Sequence, residues 1–223
     1  VRNKEGVNML DDVSFSARSG EILGIAGIAG SGQKELLESI AGIQRTEPGS
    51  KITYIDPAGT ATVLNGMDPL DIIHKGVLLS FVPEDGFGMG LVGGMNIVQN
   101  IMLRSYRRGK GPFTDRQFPK KLADKIVSDL EVVTPDVNRT PLRRLSGGNV
   151  QKVLVGREIE FNPTVLMTAY AVRGLDINTS YTIYNLLTDQ KMKGVAVLYV
   201  GEDLDVLLEL CDRILVLCGG KVS

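Results

Sequence analysis

An α/β domain with a largely parallel sheet is the fold class this sequence predicts, and three observations carry that reading. Short apolar runs of strand length alternate with segments of helical period, the pattern of a sheet built through crossover connections. A glycine-rich turn, Gly27-Ile28-Ala29-Gly30-Ser31-Gly32-Gln33-Lys34, follows one such strand and opens a helix, which is the setting of a phosphate-binding loop. From about residue 96 to residue 144 the strand signals vanish, and polar helical text interrupts the core strands.

In chain order, Glu21-Ile22-Leu23-Gly24-Ile25-Ala26 is the first core strand, and Val1 stands in what reads as an earlier one. Lys34 to Ala41 is a helix with Leu36, Leu37 and Ile40 inward, and Gly42 is placed to end it. Residues 51–55 and 60–64 alternate like a β-hairpin around Asp56-Pro57-Ala58-Gly59. Leu78 to Val82 is an apolar strand stopped by Pro83. After the helical stretch, Val150, Val153, Leu154 and Phe161 recur at helical spacings. Three more core strands follow at Val165 to Thr168, Val195 to Val200 and Leu215 to Leu217.

The 223 residues suffice for one large domain or two small lobes with a sizeable core. With 25 basic and 26 acidic residues the net charge is −1, so no clustered basic surplus points to a nucleic-acid partner. The patches Arg104 to Lys110 and Arg139 to Arg144 are short and read as solvated faces. Cys211 and Cys218 are too few for a disulfide framework, and Cys218, inside the apolar run 213–218, reads as a core thiol of a reducing compartment. No apolar run approaches the roughly 20 residues that span a bilayer, and no signal peptide is expected. Since the chain starts inside a strand, it is expected to be a piece of a longer polypeptide. His74 lies in an amphipathic stretch and reads as a surface residue; Phe15 reads as core.

The phosphate loop departs from Gly-x-x-x-x-Gly-Lys-Ser/Thr at both chemical positions. Gly27, Gly30, Ser31 and Gly32 supply a backbone that can cradle an anion. Gln33 stands where the phosphate-binding lysine belongs, Lys34 stands where the Mg²⁺-binding hydroxyl belongs, and Glu35 follows. One residue along a helix turns a side chain by about 100°, so Lys34 does not replace the missing lysine. A dinucleotide turn would need Gly-x-Gly-x-x-Gly, and Gly30-Ser31-Gly32-Gln33-Lys34-Glu35 fails that spacing.

Leu145-Ser146-Gly147-Gly148-Asn149-Val150-Gln151-Lys152 is the most specific string in the chain. A Ser-Gly-Gly turn opening a helix offers backbone N–H groups and the positive end of the helix dipole to an anion. The string resembles the signature motif of ATP-binding cassette (ABC) proteins, in the Leu-Ser-Gly-Gly-Asn form of importers for simple sugars and nucleosides. The resemblance runs from Asp11-Asp12-Val13-Ser14-Phe15 to Gly219-Gly220-Lys221-Val222 and is closest to the second, C-terminal cassette of double-cassette ATPases. Thr134-Pro135, Pro83-Glu84-Asp85 and Glu202-Asp203-Leu204 fit that branch.

The resemblance implies a P-loop NTPase (RecA-like) core with an antiparallel β subdomain and an inserted helical subdomain. Residues 1–92 and 153–223 would form the core with its β subdomain, and 93–152 the helical subdomain ending in the signature. Each motif occurs once, which makes one cassette. Arg157-Glu158, Pro163 and the D-loop Arg173-Gly174-Leu175-Asp176 keep the family register without a gap. Counting back from the D-loop puts the Walker B Asp-Glu pair on Ala169 and Tyr170. That chemistry needs one carboxylate for Mg²⁺ and one to polarise the attacking water. Alanine supplies neither, and a tyrosine of ordinary pKa about 10 is a poor base. Tyr170-Ala171-Val172 departs even from the branch, which keeps Pro-Thr before the Arg-Gly. Glu84 takes the Q-loop position, and Glu202 the position of the switch histidine, where an acidic group repels a γ-phosphate.

The resemblance therefore implies a cassette with no catalytic residue of its own. It would supply Ser146, Gly147, Gly148, Asn149 and Gln151 to ATP on a partner cassette, with Asp176 at the interface and Glu84 marking the groove that meets the permease. Implied cofactors are ATP and, weakly at this chain's own loop, Mg²⁺. Implied partners are the N-terminal cassette, membrane permease subunits and, indirectly, an extracytoplasmic binding protein, at the cytoplasmic side of the plasma membrane. A non-hydrolysing nucleotide sensor and a self-sufficient ATPase homodimer stay open as alternatives. The D-loop and Gly201-Glu202-Asp203-Leu204-Asp205 tilt the cargo toward nucleosides.

Overall fold

The computed structural model describes residues 1–3, 6–106 and 115–223. The C-terminal part of the Arg104–Lys110 basic patch lies outside the described residues. By its internal contacts the chain divides into two compact units, Val1–Phe81 with Pro163–Tyr170 and Leu187–Ser223, and Val82–Asn162 with Ala171–Leu186.

The first unit is organised by a six-stranded sheet. Its strands are β1 (Ile22–Ala26), β4 (Leu79–Val82), β5 (Val165–Ala169), β6 (Ala196–Val200), β7 (Arg213–Cys218) and β8 (Lys221–Val222), in the spatial order β4-β5-β6-β1-β7-β8. β5, β6, β1 and β7 pair in parallel, and the short β8 runs antiparallel on β7. The central strands are buried on both faces, which explains their unbroken apolar text. Helix α1 (Gln33–Ile40) lays Leu36 and Leu37 onto a core shared with Leu23, Ile25, Met167, Ala169, Leu198 and Val200. Gly42, at φ 74°, ends it as expected. The hairpin of β2 (Thr53–Ile55) and β3 (Ala61–Val63) forms a separate antiparallel sheet. It and α2 (Pro69–His74) lie around a small cluster of Leu64, Ile72 and Val77, with His74 exposed.

The second unit is mostly helical. A single π-type turn, Gly86–Gly90, leads to α3 (Ile97–Ser105), α4 (Gln117–Asp129) and α5 (Gly147–Glu160), and α6 (Ile177–Met192) begins here and ends in the first unit. Asn96 starts α3 with a reciprocal capping box to Gln99. The interior holds Ile97, Ile101, Leu122, Ala123, Ile126, Leu142, Val153 and Leu154. One polar network is embedded in it. Arg157, at 4% exposure, donates to Gly90 O (2.7 Å), to Asn100 O (3.3 Å) and to Glu158 (2.9 Å), and Glu158 also pairs with Arg104. Burial, then the neighbouring Arg104 charge, pulls the Arg157 guanidinium down to about 10, still charged at neutral pH. Removing one member would leave an uncompensated buried charge, so the network fixes the 86–90 turn to α3 and α5.

Three sequence expectations are corrected. Val1 lies in no strand: among the described residues, an isolated antiparallel bridge joins Arg2 and Asn8, and the Val1 amino group donates to Leu10 O (2.9 Å). The stretch 130–141 is irregular, since Pro135 and Pro141 interrupt it, and the helix signal resumes only as one 3₁₀ turn at Leu142–Arg144. Cys218 is exposed. β7 is covered on one face only, so Leu215 and Leu217 point inward while Val216 and Cys218 face out. An apolar run with solvent on one side cannot be told by composition from one buried on both.

Among the described residues no helix is long and apolar enough to cross a membrane. Helix α7 (Leu204–Leu210) packs on β1 so closely that a Cβ at Gly24 would lie 2.7 Å from Cys211 Sγ. Burial, reinforced by Asp212, pushes the Cys211 thiol up to about 12. At pH 8.5 iodoacetamide is therefore expected to modify Cys218 rapidly and Cys211 only after urea unfolding, read by intact mass; comparable native rates at both would contradict this packing.

Candidate functional site

The parallel register creates the first candidate site. Ile25 is aligned with Val200, and Val200 with Ala169, so the carboxyl ends of β1, β6 and β5 finish in one line. Ligands of open α/β sheets bind at that edge. The glycine-rich loop leaves it from β1, Tyr170 from β5, and Gly201-Glu202 from β6.

The loop is shaped for an anion by its backbone. Gly32, at φ 99°, takes the N-cap position of α1 and, having no side chain, places no cap of its own on the first-turn N–H groups. A Cβ there would lie 2.5 Å from Leu10 Cδ2 and 2.6 Å from Met9 O, which makes glycine necessary. Gly30 is exposed and Ser31 buried, its N–H bonded to Ile28 O (3.1 Å). Gln33 is buried at 2% exposure, and its Nε2 donates to that same Ile28 O (3.1 Å). A carboxamide has two N–H donors and no charge, so what it can offer a phosphate is less than an ammonium offers. Lys34 is exposed, with a long 3.8 Å ion pair to Glu38 one turn on, and Glu35 lies in the same first turn.

The residues present do not fit Mg²⁺. This ion takes hydroxyl, carboxylate and water oxygens in a near-octahedral set. Lys34 brings a cation to the hydroxyl position, and Ala169, at 2% exposure within the apolar core, brings no donor. Among the described residues no group of three or more His, Cys, Asp or Glu side chains could hold a metal ion. Tyr170 is half-buried and sits at φ 52°, where a bulky residue is strained, while its N–H extends the ladder to Val200 O (2.9 Å). Glu202 is exposed at the end of β6.

The second candidate site lies wholly in the helical unit. Ser146 caps α5, and its Oγ accepts from Asn149 N (3.4 Å) and Asn149 Nδ2 (2.9 Å). Asn149 Oδ1 accepts from Val133 N (2.9 Å), so the Asn149 amide is engaged within the chain. Ser146 and Gly147 are exposed, and nothing lies within 4 Å of a Cβ at Gly147. Gln151 is half-buried. A Cβ at Gly148 would sit 3.2 Å from Thr179 Oγ1 and 3.7 Å from Asp176 Oδ2, which puts the 176–179 segment directly beside the start of α5. Asp176 accepts from Thr179 N (2.9 Å) and Thr179 Oγ1 (2.7 Å) at the start of α6, and these bonds hold its carboxyl below the ordinary aspartate value. Glu84 Oε1 accepts from Arg173 Nη1 (2.6 Å), three residues ahead of Asp176.

Of the residues singled out in the sequence, Gly27, Gly30, Ser31, Gly32, Gln33, Lys34, Glu35, Ala169, Tyr170 and Glu202 thus belong to the sheet unit. Glu84, Ser146, Gly147, Gly148, Asn149, Gln151 and Asp176 belong to the helical one. Sequence reading missed the Val133–Asn149 and Gly148–Thr179 approaches. The spacing Asp176-x-x-Thr179 is a helix-capping pattern that announces the local Asp176–Thr179 bonds; nothing local announces either long-range approach.

A family model described as "ABC transporter" matches residues 10–168, well over half of the chain. The chain belongs to the ABC transporter family. It is 35% identical over 226 residues to the guanosine import ATP-binding protein NupO of Bacillus subtilis (strain 168), covering 100% of this chain and 42% of that protein. It is 37% identical over 215 residues to the xylose import ATP-binding protein XylG of Moorella thermoacetica, covering 96% and 41%. To the ribose import ATP-binding protein RbsA of Corynebacterium glutamicum the identity is 33% over 224 residues, covering 100% and 41%. The chain thus spans about two fifths of the length of these curated relatives. The fold matches the dimeric structure of the bacterial ABC transporter cassette MJ0796 with a TM-score of 0.79 at 23% identity, covering 96% of this chain and 88% of that one. This ABC domain therefore has the α/β fold of the P-loop cassettes, and its relatives are sugar and nucleoside import ATP-binding proteins.

Exchanging Gln33→Lys and Lys34→Thr together would restore a charge-assisted phosphate contact worth about 1.5–3 kcal/mol. The double variant is expected to bind a fluorescent ATP analogue roughly tenfold to a hundredfold more tightly while releasing no phosphate, because Ala169 and Tyr170 are unchanged. Unaltered affinity would show that the loop is closed to phosphate for another reason.

Proposed function

We infer that this cassette is the second, degenerate one of a double-cassette importer ATPase for simple sugars or nucleosides, and that its signature serves ATP held by the N-terminal cassette. The observation that carries the reading is the contrast between the two sites. At the sheet edge the three positions that would handle Mg²⁺ and water carry Lys34, Ala169 and Tyr170 instead. In the helical unit the signature is whole, with an exposed Ser146-Gly147 helix start flanked by the D-loop.

Residues 1–92 and 153–223 act as the nucleotide-binding core with its β subdomain, and 93–152 as the helical subdomain. Gly27, Gly30, Ser31, Gly32, Gln33, Lys34 and Glu35 form a weak nucleotide loop. Ser146, Gly147, Gly148, Asn149 and Gln151 make the face turned to the partner's ATP, and Asp176 lines that interface. Glu84 marks the permease groove, and the whole works at the cytoplasmic face of the membrane beside permease and binding-protein partners. In chemical terms the chain contributes electrostatics: backbone N–H groups, a helix dipole and the Ser146 hydroxyl stabilise the charge that develops on the transferring phosphoryl group. The relatives' printed cargoes, guanosine, xylose and ribose, are the support for the substrate class. A self-sufficient homodimer would need the two carboxylates that positions 169 and 170 lack.

The isolated chain is expected to show negligible ATPase activity, and turnover like that of an ordinary cassette would sink the reading. In the assembled transporter, Ser146→Arg places a bulky side chain at the exposed helix start and is expected to abolish ATP-driven uptake. Near-normal uptake into cells or vesicles would contradict the assigned role.

A further inference from the structure

The orientation of the Ser146 hydroxyl follows from hydrogen-bond arithmetic. The Val133 backbone N–H can only donate, and it lies 2.9 Å from Asn149 Oδ1. The amide orientation is therefore fixed: a flipped amide would set two donors against each other. Nδ2 consequently faces Ser146 Oγ, at 2.9 Å. A serine hydroxyl has two acceptor lone pairs and one O–H donor. The Asn149 backbone N–H takes one lone pair at 3.4 Å and Nδ2 takes the other. The O–H is the hydrogen-bonding capacity that remains, on an exposed residue at the positive end of α5.

We propose that Asn149 is a positioning residue that locks the Ser146 hydroxyl as a donor toward a phosphate anion presented by the partner cassette. This rests on the reading that the signature acts on a partner's ATP. Two bonds of the Asn149 amide make the lock: Oδ1 holds the rotamer against Val133, and one Nδ2 proton settles which way the serine can donate. An N-cap serine without this clamp keeps a free lone pair and a free rotor, so its proton is shared among several directions, only one of which serves an anion.

The test is a double-mutant cycle on the ATPase rate of the assembled two-cassette transporter. Ser146→Ala removes a charge-assisted hydrogen bond and should slow turnover roughly tenfold to a hundredfold. Asn149→Leu, uncharged and of similar size, should slow it about threefold to tenfold in the Ser146 background, from the loss of one rotor preference among about three staggered wells together with the loss of the clamp. In the Ser146→Ala background it should add no more than about twofold. A loss of equal size in both backgrounds, or none in either, overturns the proposal. If Asn149→Leu fails to fold, Asn149→Asp keeps the acceptor for Val133 and replaces the donor with an acceptor that turns the hydroxyl inward. Its loss in the Ser146→Ala background measures the added charge alone. A further loss in the Ser146 background supports the clamp, and equal losses overturn it. Should Ser146→Ala itself leave turnover unchanged, the reading of the signature in trans fails instead.

Discussion

The parallel pairing of β5, β6 and β1 is the constraint on which the rest depends. Parallel strands end their carboxyl termini on one side, and the register Ile25–Val200–Ala169 brings three loops to a single edge. Residues at and just past the strand ends can differ there while the sheet pairing stays intact. Ala169 illustrates it. It lies in a core of Leu, Ile, Met and Val side chains, where a carboxylate is tolerable only if a metal or donor meets it. An alanine there needs no such partner.

The helical unit depends on a different device. Arg157, Glu158 and Arg104 form a buried charged network that reaches the backbone of Gly90 and Asn100. Such a network adds little net stability, but it is directional, and it specifies where the 86–90 turn sits against α3 and α5. The signature at the opposite end of α5 therefore extends from a helix whose final turns are held by side chains that cannot slide.

Much of this was legible in the sequence, for identifiable reasons. The glycine spacing of 27–32, the strand runs at 22–26, 165–169 and 196–200, and the Ser-Gly-Gly helix start are local patterns, and local patterns survive into the fold. The identity of Gln33, Lys34, Ala169 and Tyr170 was readable in the same way. What could not be read were relations between distant segments. That Cys218 faces solvent depends on which side of β7 is covered. That Asn149 reaches Val133 depends on an irregular strap with no periodicity at all.

The narrow gap at Gly148 has a mechanical side. Its Cα stands so near Thr179 that the start of α5 and the start of α6 share a joint with no slack, and Thr179 is itself tied to Asp176 by two bonds. Three residues upstream, Arg173 is tethered to Glu84. The helical unit thus contains a short linkage of stiff segments, running from the chain just after β4 to the exposed end of the signature helix. Pushing the start of α5 toward α6 meets that contact at once, whereas pulling it away breaks no bond, so the joint bears compression and not tension.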